Sequence, residues 1–262
     1  MIKAVFFDID GTLVPLGARG IPQGTVEALK TLRQKGVKVF IATGRHPGWI
    51  DNLGDNVFDG YVTTNGALCF AGDGKTEIHS CTISAEDKAR MVSFCANNDM
   101  PFVIVPAYDE IFATGVNDAF TEAAKMLNIP YVPIKDVSLV NDYPVVQMMV
   151  FASQEEIDAS GLFEHTLLSC HATSWCSIFA DILPNGSDKS VGIDRMIEHF
   201  GIKLSETMAF GDGANDVEML RHVGIGVAMG NASAEVQASA DYVTLSVDED
   251  GVAAALRHFG LL

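Results

Sequence analysis

Two aspartates one residue apart, Asp8 and Asp10, follow the apolar run at residues 4–7, and Gly11 comes directly after Asp10. The run has the length and composition of a buried parallel strand, and open α/β sheets bind ligands beyond the carboxyl ends of such strands. A carboxylate placed there can act as a nucleophile. A second carboxylate two residues on would be repelled by the first, so the pair implies either a bound cation or a raised pKa on one member. Asp10-Gly11 alone could equally form a common turn.

Three further polar clusters lie at the ends or starts of predicted elements. Residues 43–45 (Thr-Gly-Arg) follow one strand-like run, and residues 211–216 (Gly-Asp-Gly-Ala-Asn-Asp) follow another. Lys189 falls in the first turn of a predicted helix for which Ser187 is the expected N-cap. Because the helix dipole disfavours a cation at that end, a neighbouring anion would explain Lys189, although a solvated side chain is the alternative. Together with Asp8 and its neighbours, the clusters predict one shared site.

The residue types in these clusters fit the transfer of a phosphoryl group. Asp8 would attack phosphorus and become an aspartyl-phosphate. Asp10 would protonate the leaving alcohol and then deprotonate the water that hydrolyses the acyl phosphate. The Thr43 hydroxyl and the Gly44 N–H could hold phosphoryl oxygens, although the same residues could form an ordinary strand-to-helix turn, and Arg45 receives no role. The residues expected to bind the substrate phosphate are Gly11, Thr43, Gly44, Lys189 and Asn215.

The carboxylates also predict a magnesium site. Magnesium prefers hard oxygen ligands, commonly one or two carboxylates together with a substrate phosphate. We expect the side chains of Asp8 and Asp212 and the backbone carbonyl of Asp10 to be ligands, which leaves the Asp10 carboxyl group free for proton transfer. Asp216 would lie behind them and orient either metal-bound water or Lys189.

Composition limits the partners of this chain. With 262 residues and a formal net charge of −17, it would repel nucleic acid and anionic membranes. To bind a phosphorylated small molecule, the chain must reverse the sign of its charge locally, and a bound divalent cation is the economical way to do so. Five cysteines without a Cys-x-x-Cys pair fit a reduced, cytoplasmic protein. The first strand begins at residue 2 or 3, which predicts no signal peptide, and no apolar stretch reaches membrane-spanning length. The oligomeric state stays open.

Strand-like and helix-like patterns alternate at both ends of the chain, which is typical of a parallel sheet covered by helices. Near the C-terminal end, we predict short buried strands at 207–210, 225–229 and 242–245, with the helices between them starting at Asn215 and Ser233. In the middle, the strand-like runs are longer and alternate in polarity, with a helix predicted at 117–127 and a strand at 175–183. We therefore predict an α/β fold in two parts. Residues 1–81 and 184–262 would form a core with a Rossmann-like parallel sheet, and residues 82–183 would form an inserted α+β cap domain.

The four clusters resemble the four motifs of the haloacid dehalogenase-like (HAD) superfamily, and the Asp-x-Asp form of the first resembles that of its phosphotransferases. The resemblance runs nearly from one end of the chain to the other. Within the superfamily, the sequence is similar to the Cof-type branch, in which a large α/β cap lies between the second and third motifs. It implies magnesium-dependent hydrolysis of small phosphate monoesters, often sugar phosphates, with substrate selection by the cap. Ser190 departs from the glycine that commonly follows the lysine. The stretches similar to the Cof branch are 65–67, 226–232, 240–244 and 249–252.

Three functions compete. The first is a phosphatase acting on sugar phosphates or similar metabolites. The second is a phosphomutase of the phosphomannomutase kind, which must hold a bisphosphate and would need extra cations in the cap. The third is a catalytically silent binding protein, against which the retention of Asp8, Asp10, Lys189 and Asp212 argues.

The cap itself offers little guidance on the substrate. Its few cations favour hydrolysis over a mutase, and its possible lining groups could equally be cap core or solvated surface. The cations of residues 84–183 are Lys88, Arg90, Lys125 and Lys135. The possible lining groups are Tyr108, Arg90, His171 and Trp175.

Overall fold

The computed structural model describes residues 1–98, 100–126, 131–173 and 179–262. The end of the predicted helix 117–127 and the first part of the predicted strand 175–183, with Trp175, lie outside the described residues. No helix in the described ranges is long and apolar enough to cross a membrane.

The described chain divides into two compact units. The first, here called the core unit, comprises Met1–His79 and Asp188–Leu262. The second, here called the inserted unit, comprises Ser80–Ser187. These bounds lie close to the boundaries predicted after residues 81 and 183.

Strands and helices alternate along most of the described chain, as expected for the predicted α/β class. The strands are β1 Ala4–Phe7, β2 Lys38–Ala42, β3 Gly60–Thr63, β4 Leu68–Ala71, β5 Glu77–Ser80, β6 Phe102–Pro106, β7 Phe112–Ala113, β8 Val145–Val150, β9 Cys170–Thr173, β10 Ala180–Pro184, β11 Thr207–Gly211, β12 Ile225–Ala228 and β13 Tyr242–Val243. The helices are α1 Gln23–Gln34, α2 Ala85–Asn97, α3 Asp118–Met126, α4 Gln154–Ala159, α5 Lys189–Phe200, α6 Val217–His222, α7 Ala234–Ala238 and α8 Gly251–His258.

The larger sheet has β1 near its centre. Its described strands follow the order β13-β12-β11-β1-β2-β3-β4-β5. β1 pairs in parallel with β2 on one side and with β11 on the other. β3 and β12 continue the parallel arrangement, whereas β4 runs antiparallel to β3. The carboxyl ends of β1, β2 and β11 therefore meet at one edge of the sheet, where the predicted site residues begin.

β1 is buried on both faces, which explains its unbroken apolar run. Phe7 faces the side of the sheet covered by α1 and α8, and it stacks on Phe210 with ring centroids 5.0 Å apart. Phe6 faces the side covered by α5 and α6, and it stacks on Phe40 at 4.7 Å. Packing on both faces holds the strand rigidly, so the residues that follow it start from a fixed point.

Two of the predicted elements need correction. The expected buried strand at 242–245 is only the two-residue β13, and Val243 is 42% exposed because β13 is the outer strand of the sheet. Helix α6 begins at Val217 after Asp216, rather than at Asn215, because the backbone at 214–216 first makes a short 3-10 turn.

The inserted unit contains a separate sheet with the strand order β7-β6-β8-β10-β9. Its recorded strand pairs are all antiparallel, which confirms the predicted α+β character. Helix α2 contributes Met91 and Phe94 to the apolar cluster on one face of this sheet. Arg90 of α2 donates to the buried carboxylate of Asp87, and its Nε donates to the Thr166 carbonyl at 2.9 Å. This guanidinium is therefore engaged within the inserted unit.

Candidate active site

Backbone hydrogen bonds extend the pairing of the sheet by one residue beyond two of its strands. The Asp8 N–H donates to the Phe210 carbonyl at 3.0 Å, and the Thr43 N–H donates to the Val62 carbonyl at 2.9 Å. The backbone of both candidate site residues is thus fixed by the sheet. Both residues are buried, with whole-residue exposed fractions of 6% for Asp8 and 1% for Thr43.

Lys189 lies between two carboxylates. Its Nζ donates to Asp8 Oδ1 at 2.7 Å and to Asp216 Oδ1 at 2.6 Å, and its side chain is fully buried. Burial alone would lower the pKa of Lys189, but the two carboxylates raise it overall. The anion expected beside this lysine is therefore present: Asp8 directly follows β1, and Asp216 lies in the turn between β11 and α6.

Helix α5 begins differently from the sequence expectation. Its N-cap is Asp188, whose Oδ1 accepts from the Ser190 and Val191 N–H groups at 2.7 and 3.0 Å. The predicted cap, Ser187, instead donates its hydroxyl to the Pro184 carbonyl at 2.7 Å. Lys189 remains in the first helical turn.

Burial raises the pKa of Asp8 well above the usual range of an aspartate, the Lys189 charge opposes this shift, and neighbouring carboxylates add to it. Burial and Asp216 likewise raise the pKa of Asp212 to about 7, against a hydrogen bond from Thr12. Each shift reflects negative charge packed into a poorly hydrated space. One lysine compensates only part of that charge.

Three of these carboxylates could hold one cation. Asp8, Asp212 and Asp216 offer oxygen atoms that all lie within 4.8 Å of one another. Hard oxygen donors with uncompensated charge fit magnesium. Asp216 Oδ2 also accepts from the N–H groups of Asp212 and Gly213 at 3.0 and 2.9 Å, and its Oδ1 is bound to Lys189. These contacts suit the supporting role expected of Asp216.

Gly11 leaves room for the Asp212 carboxylate. A Cβ atom at this position would lie 2.2 Å from Asp212 Oδ2, and the backbone has φ +85°, which side chains rarely adopt. Only glycine meets both demands without displacing the carboxylate. The glycine after the aspartate pair is therefore required by close approach as well as by the turn.

Asp10 is held by Arg45, the residue to which the sequence assigned no role. Arg45 Nε and Nη2 donate to the two carboxylate oxygens of Asp10, both at 2.7 Å, and Nη1 donates to the Trp49 carbonyl at 2.9 Å. Burial would lower the pKa of Arg45, yet its bonds to Asp10 raise it. The Asp10 side chain is 36% exposed, whereas that of Asp8 is 9% exposed.

The Thr43-Gly44 loop lies against a strained turn that sequence reasoning did not treat as functional. Thr64 and Asn65 have φ values of 47° and 50°, in the left-handed region that non-glycine residues rarely adopt. Asn65 Oδ1 accepts from Asn215 Nδ2 at 3.0 Å, and the Asn65 N–H donates to the Thr43 carbonyl at 3.0 Å. The turn thus links two of the predicted phosphate-binding loops, and the Asn-Gly pair at 65–66 was its sequence signal.

Comparison with known proteins now identifies the family. Residues 5–256 match the haloacid dehalogenase-like hydrolases. The chain belongs to this family. This HAD-like hydrolase is 33% identical over 262 residues to the Bacillus subtilis protein YkrA, covering 99% of this chain and 98% of that one. It is also 27% identical over 253 residues to the Escherichia coli HMP-PP phosphatase, covering 91% of this chain and 88% of that enzyme.

Solved structures agree with the family assignment. A HAD subclass IIB sugar phosphatase is 42% identical to this hydrolase with a TM-score of 0.90, and the match covers 99% of this chain and all of that one. A Bacteroides thetaiotaomicron phosphatase of the superfamily is 32% identical with a TM-score of 0.91, covering 100% of this chain and 96% of that one. The predicted membership of the superfamily is confirmed.

Proposed function

We propose that this hydrolase is a magnesium-dependent phosphatase that hydrolyses small phosphate monoesters, sugar phosphates foremost, through an aspartyl-phosphate intermediate. The observation that carries the proposal is the buried Asp8 carboxylate, which lies at the end of the central strand and is bound by the buried Lys189 at 2.7 Å. The sugar phosphatase that is 42% identical over nearly the whole chain supports the substrate class.

In the first step, an Asp8 oxygen forms a bond to phosphorus while the bond from phosphorus to the alcohol oxygen breaks. The alcohol leaves with a proton from Asp10. In the second step, water attacks phosphorus, the bond to Asp8 breaks, and Asp10 takes the proton of the water. The products are the alcohol and inorganic phosphate, and both aspartates return to their starting states.

The Arg45 contact bears on the two roles of Asp10. Two charge-assisted hydrogen bonds from Arg45 occupy both oxygens of Asp10 and fix the direction of its carboxyl group. In the first step, Asp10 must be protonated and must donate that proton to the leaving oxygen. At least one of its two hydrogen bonds from Arg45 must therefore break when the substrate binds. The partial exposure of Asp10 leaves room for this change.

The phosphate would be held by groups from all four clusters. We assign this role to Gly11, Thr43, Gly44, Lys189 and Asn215. The turn at Asn65 supports the assignment, because it binds the loops that carry Thr43 and Asn215. Lys189 would balance negative charge on the phosphoryl group as well as on Asp8.

Magnesium would be held by the side chains of Asp8 and Asp212 and by the backbone carbonyl of Asp10, with Asp216 behind them. When bound, the ion supplies positive charge that offsets the repulsion between the carboxylates and the phosphate.

Chelation should stop the reaction, and magnesium should restore it. We expect activity to fall to background in excess EDTA and to recover when MgCl₂ exceeds the chelator, measured as released inorganic phosphate. Calcium should inhibit, because its larger and more flexible coordination shell allows Asp8 to bind in a bidentate manner and blunts its attack. Full activity in excess EDTA would refute the metal assignment, and equal rates with the two ions would refute the proposed geometry.

The phosphomutase alternative is disfavoured by the inserted unit. Lys88 Nζ donates to the Tyr143 carbonyl at 2.7 Å, and Lys135 forms an ion pair with Glu110 at 2.8 Å. Arg90 is engaged with Asp87. Three of the four cations of residues 84–183 are thus already bound within the unit, although a mutase would need cations for a second phosphate.

We further propose that the inserted unit, predicted as residues 82–183, selects the substrate. Of its candidate lining groups, Tyr108 is 63% exposed, His171 lies on β9, and Arg90 is bound to Asp87.

A panel of phosphate esters tests these proposals. With magnesium, the full chain should release inorganic phosphate fastest from sugar phosphates and should form no isomerised sugar phosphate. A variant in which a glycine-serine linker replaces residues 82–183 should lose most of its preference for sugar phosphates over p-nitrophenyl phosphate. Isomerisation without phosphate release would establish the mutase instead, and no turnover of any ester would favour the silent binding protein. An unchanged ranking in a folded trimmed variant would place selection in the core unit.

A further inference from the structure

Asn231 connects three loops of the core unit through one side chain. Its Nδ2 donates to the Gly11 carbonyl at 2.9 Å and to Asp212 Oδ2 at 3.2 Å. Its Oδ1 accepts from the Val247 N–H at 2.9 Å. The side chain therefore uses donor and acceptor together, and two of its three contacts are to the loops that carry the candidate metal ligands.

The other Asp212 oxygen is also fixed. Thr12 Oγ1 donates to Asp212 Oδ1 at 2.8 Å, and Thr12 is 1% exposed. The carboxylate is thus held by hydrogen bonds to both oxygens, from two different loops. Each oxygen keeps a free lone pair, so both can still contact a cation. Hydrogen bonds to the outer side of a ligating carboxylate orient it and tune its metal.

We propose that Asn231 is a positioning residue that, together with Thr12, sets the orientation of the Asp212 carboxylate and thereby the affinity of the site for magnesium. The inference rests on the proposed magnesium site but not on the identity of the ester. Asn231 itself touches no reacting atom in this scheme.

The loop that carries Asn231 has other attachments. The Gly230 N–H donates to the Leu245 carbonyl at 3.0 Å. Gln237 Nε2 donates to the carbonyls of Gly230 and Ala232 at 3.3 and 3.0 Å. Because Asn231 is also solvent-exposed, its truncation opens no cavity, and the loop should keep its place. Gln237 provides a matched control, since its recorded bonds anchor the same loop without reaching Asp212.

The test is calorimetric titration of MgCl₂ into metal-free full-length protein, without substrate. Asn231→Ala and Thr12→Val should each weaken magnesium binding by roughly 10- to 100-fold. Gln237→Ala should bind magnesium as the wild type does. The double variant Asn231→Ala/Thr12→Val should lose less than the product of the single losses, because both residues hold one carboxylate. Thermal unfolding of the metal-free variants should stay close to that of the wild type.

Several outcomes would overturn the inference. A magnesium dissociation constant within twofold of the wild type in Asn231→Ala would show that Asp212 needs no such support. Equal weakening in Gln237→Ala would show that loop anchoring, not the carboxylate contact, is responsible. If titration gives no heat, electron paramagnetic resonance of added Mn²⁺ replaces it, and failure of the wild type to bind either ion would refute the site. Normal metal binding without ester hydrolysis would refute only the proposed function.

Discussion

Asp8→Asn should abolish turnover of every phosphate ester while leaving the fold intact. The amide nearly conserves the volume of the carboxylate but cannot attack phosphorus. It also accepts a hydrogen bond through its carbonyl oxygen, so Lys189 keeps a partner in addition to Asp216. We expect kcat below roughly one thousandth of the wild-type rate, as is found when a nucleophile is removed. Released inorganic phosphate measures the rate, and circular dichroism checks the fold.

The exposed Asp248 offers a control for the same chemical change, and Asp248→Asn should leave the rate unchanged. Acid quenching with a ³²P-labelled ester should trap labelled protein in the wild type and none in Asp8→Asn. Retention of more than a few per cent of activity, with contamination excluded, would end the covalent mechanism.

Lys189→Met should impair both stability and activity. The substitution removes the cation between two buried carboxylates, and loss of one partner of a buried ion pair costs about 3–5 kcal/mol. In the wild type, the Lys189 charge opposes the rise in the pKa of Asp8, so removing Lys189 should raise that pKa further. A folded-state pKa raised above the unfolded value gives stability that is present at low pH and is lost as the pH rises through the folded pKa. The variant should therefore be more destabilised at pH 8 than at pH 5.

Denaturant unfolding at both pH values, without metal, measures this effect. Lys30→Met is a control at an exposed lysine and should change neither stability nor rate. Adding Asp216→Asn to Lys189→Met should recover part of the stability, because one uncompensated carboxylate is removed, but it should not recover turnover. Unchanged stability at pH 8 would show that Lys189 does not neutralise these carboxylates in solution.

The central part of the site was predictable because its signals are local. The apolar run of β1 reflects burial on both faces, and the acids after it had to reach the edge of the sheet. Lys189 was informative for a similar reason, since its position conflicts with the helix dipole and required an anion. The choice of N-cap was beyond this reasoning, because Ser187 and Asp188 are adjacent and both types of residue cap helices well.

Contacts between distant residues were not predictable in this way. The Asp10 pair with Arg45 depends on the parallel register of β1 with β2 and on the direction taken by each side chain beyond the strands. The hydrogen bond from Asn231 to the Gly11 carbonyl joins residues from nearly opposite ends of the chain, and no periodic pattern in the sequence predicts it. The Asn-Gly pair at 65–66 predicted only an ordinary turn. Its role in the site depends on the contact of Asn65 with Asn215, which is distant in the sequence.

The pairing of Phe7 with Phe210 also has a consequence during synthesis. One side of β1 can pair with β2 soon after translation begins, but the other side must wait until β11 has left the ribosome. Until then the nascent chain carries an apolar strand with an unpaired edge, and the entire inserted unit is translated during that time. Such long-range pairing is slow and exposes the chain to aggregation. Asp8 gains its buried cation only after Lys189, which follows the inserted unit in the chain, has been translated, so a chain that terminates earlier would contain the nucleophile without a site around it.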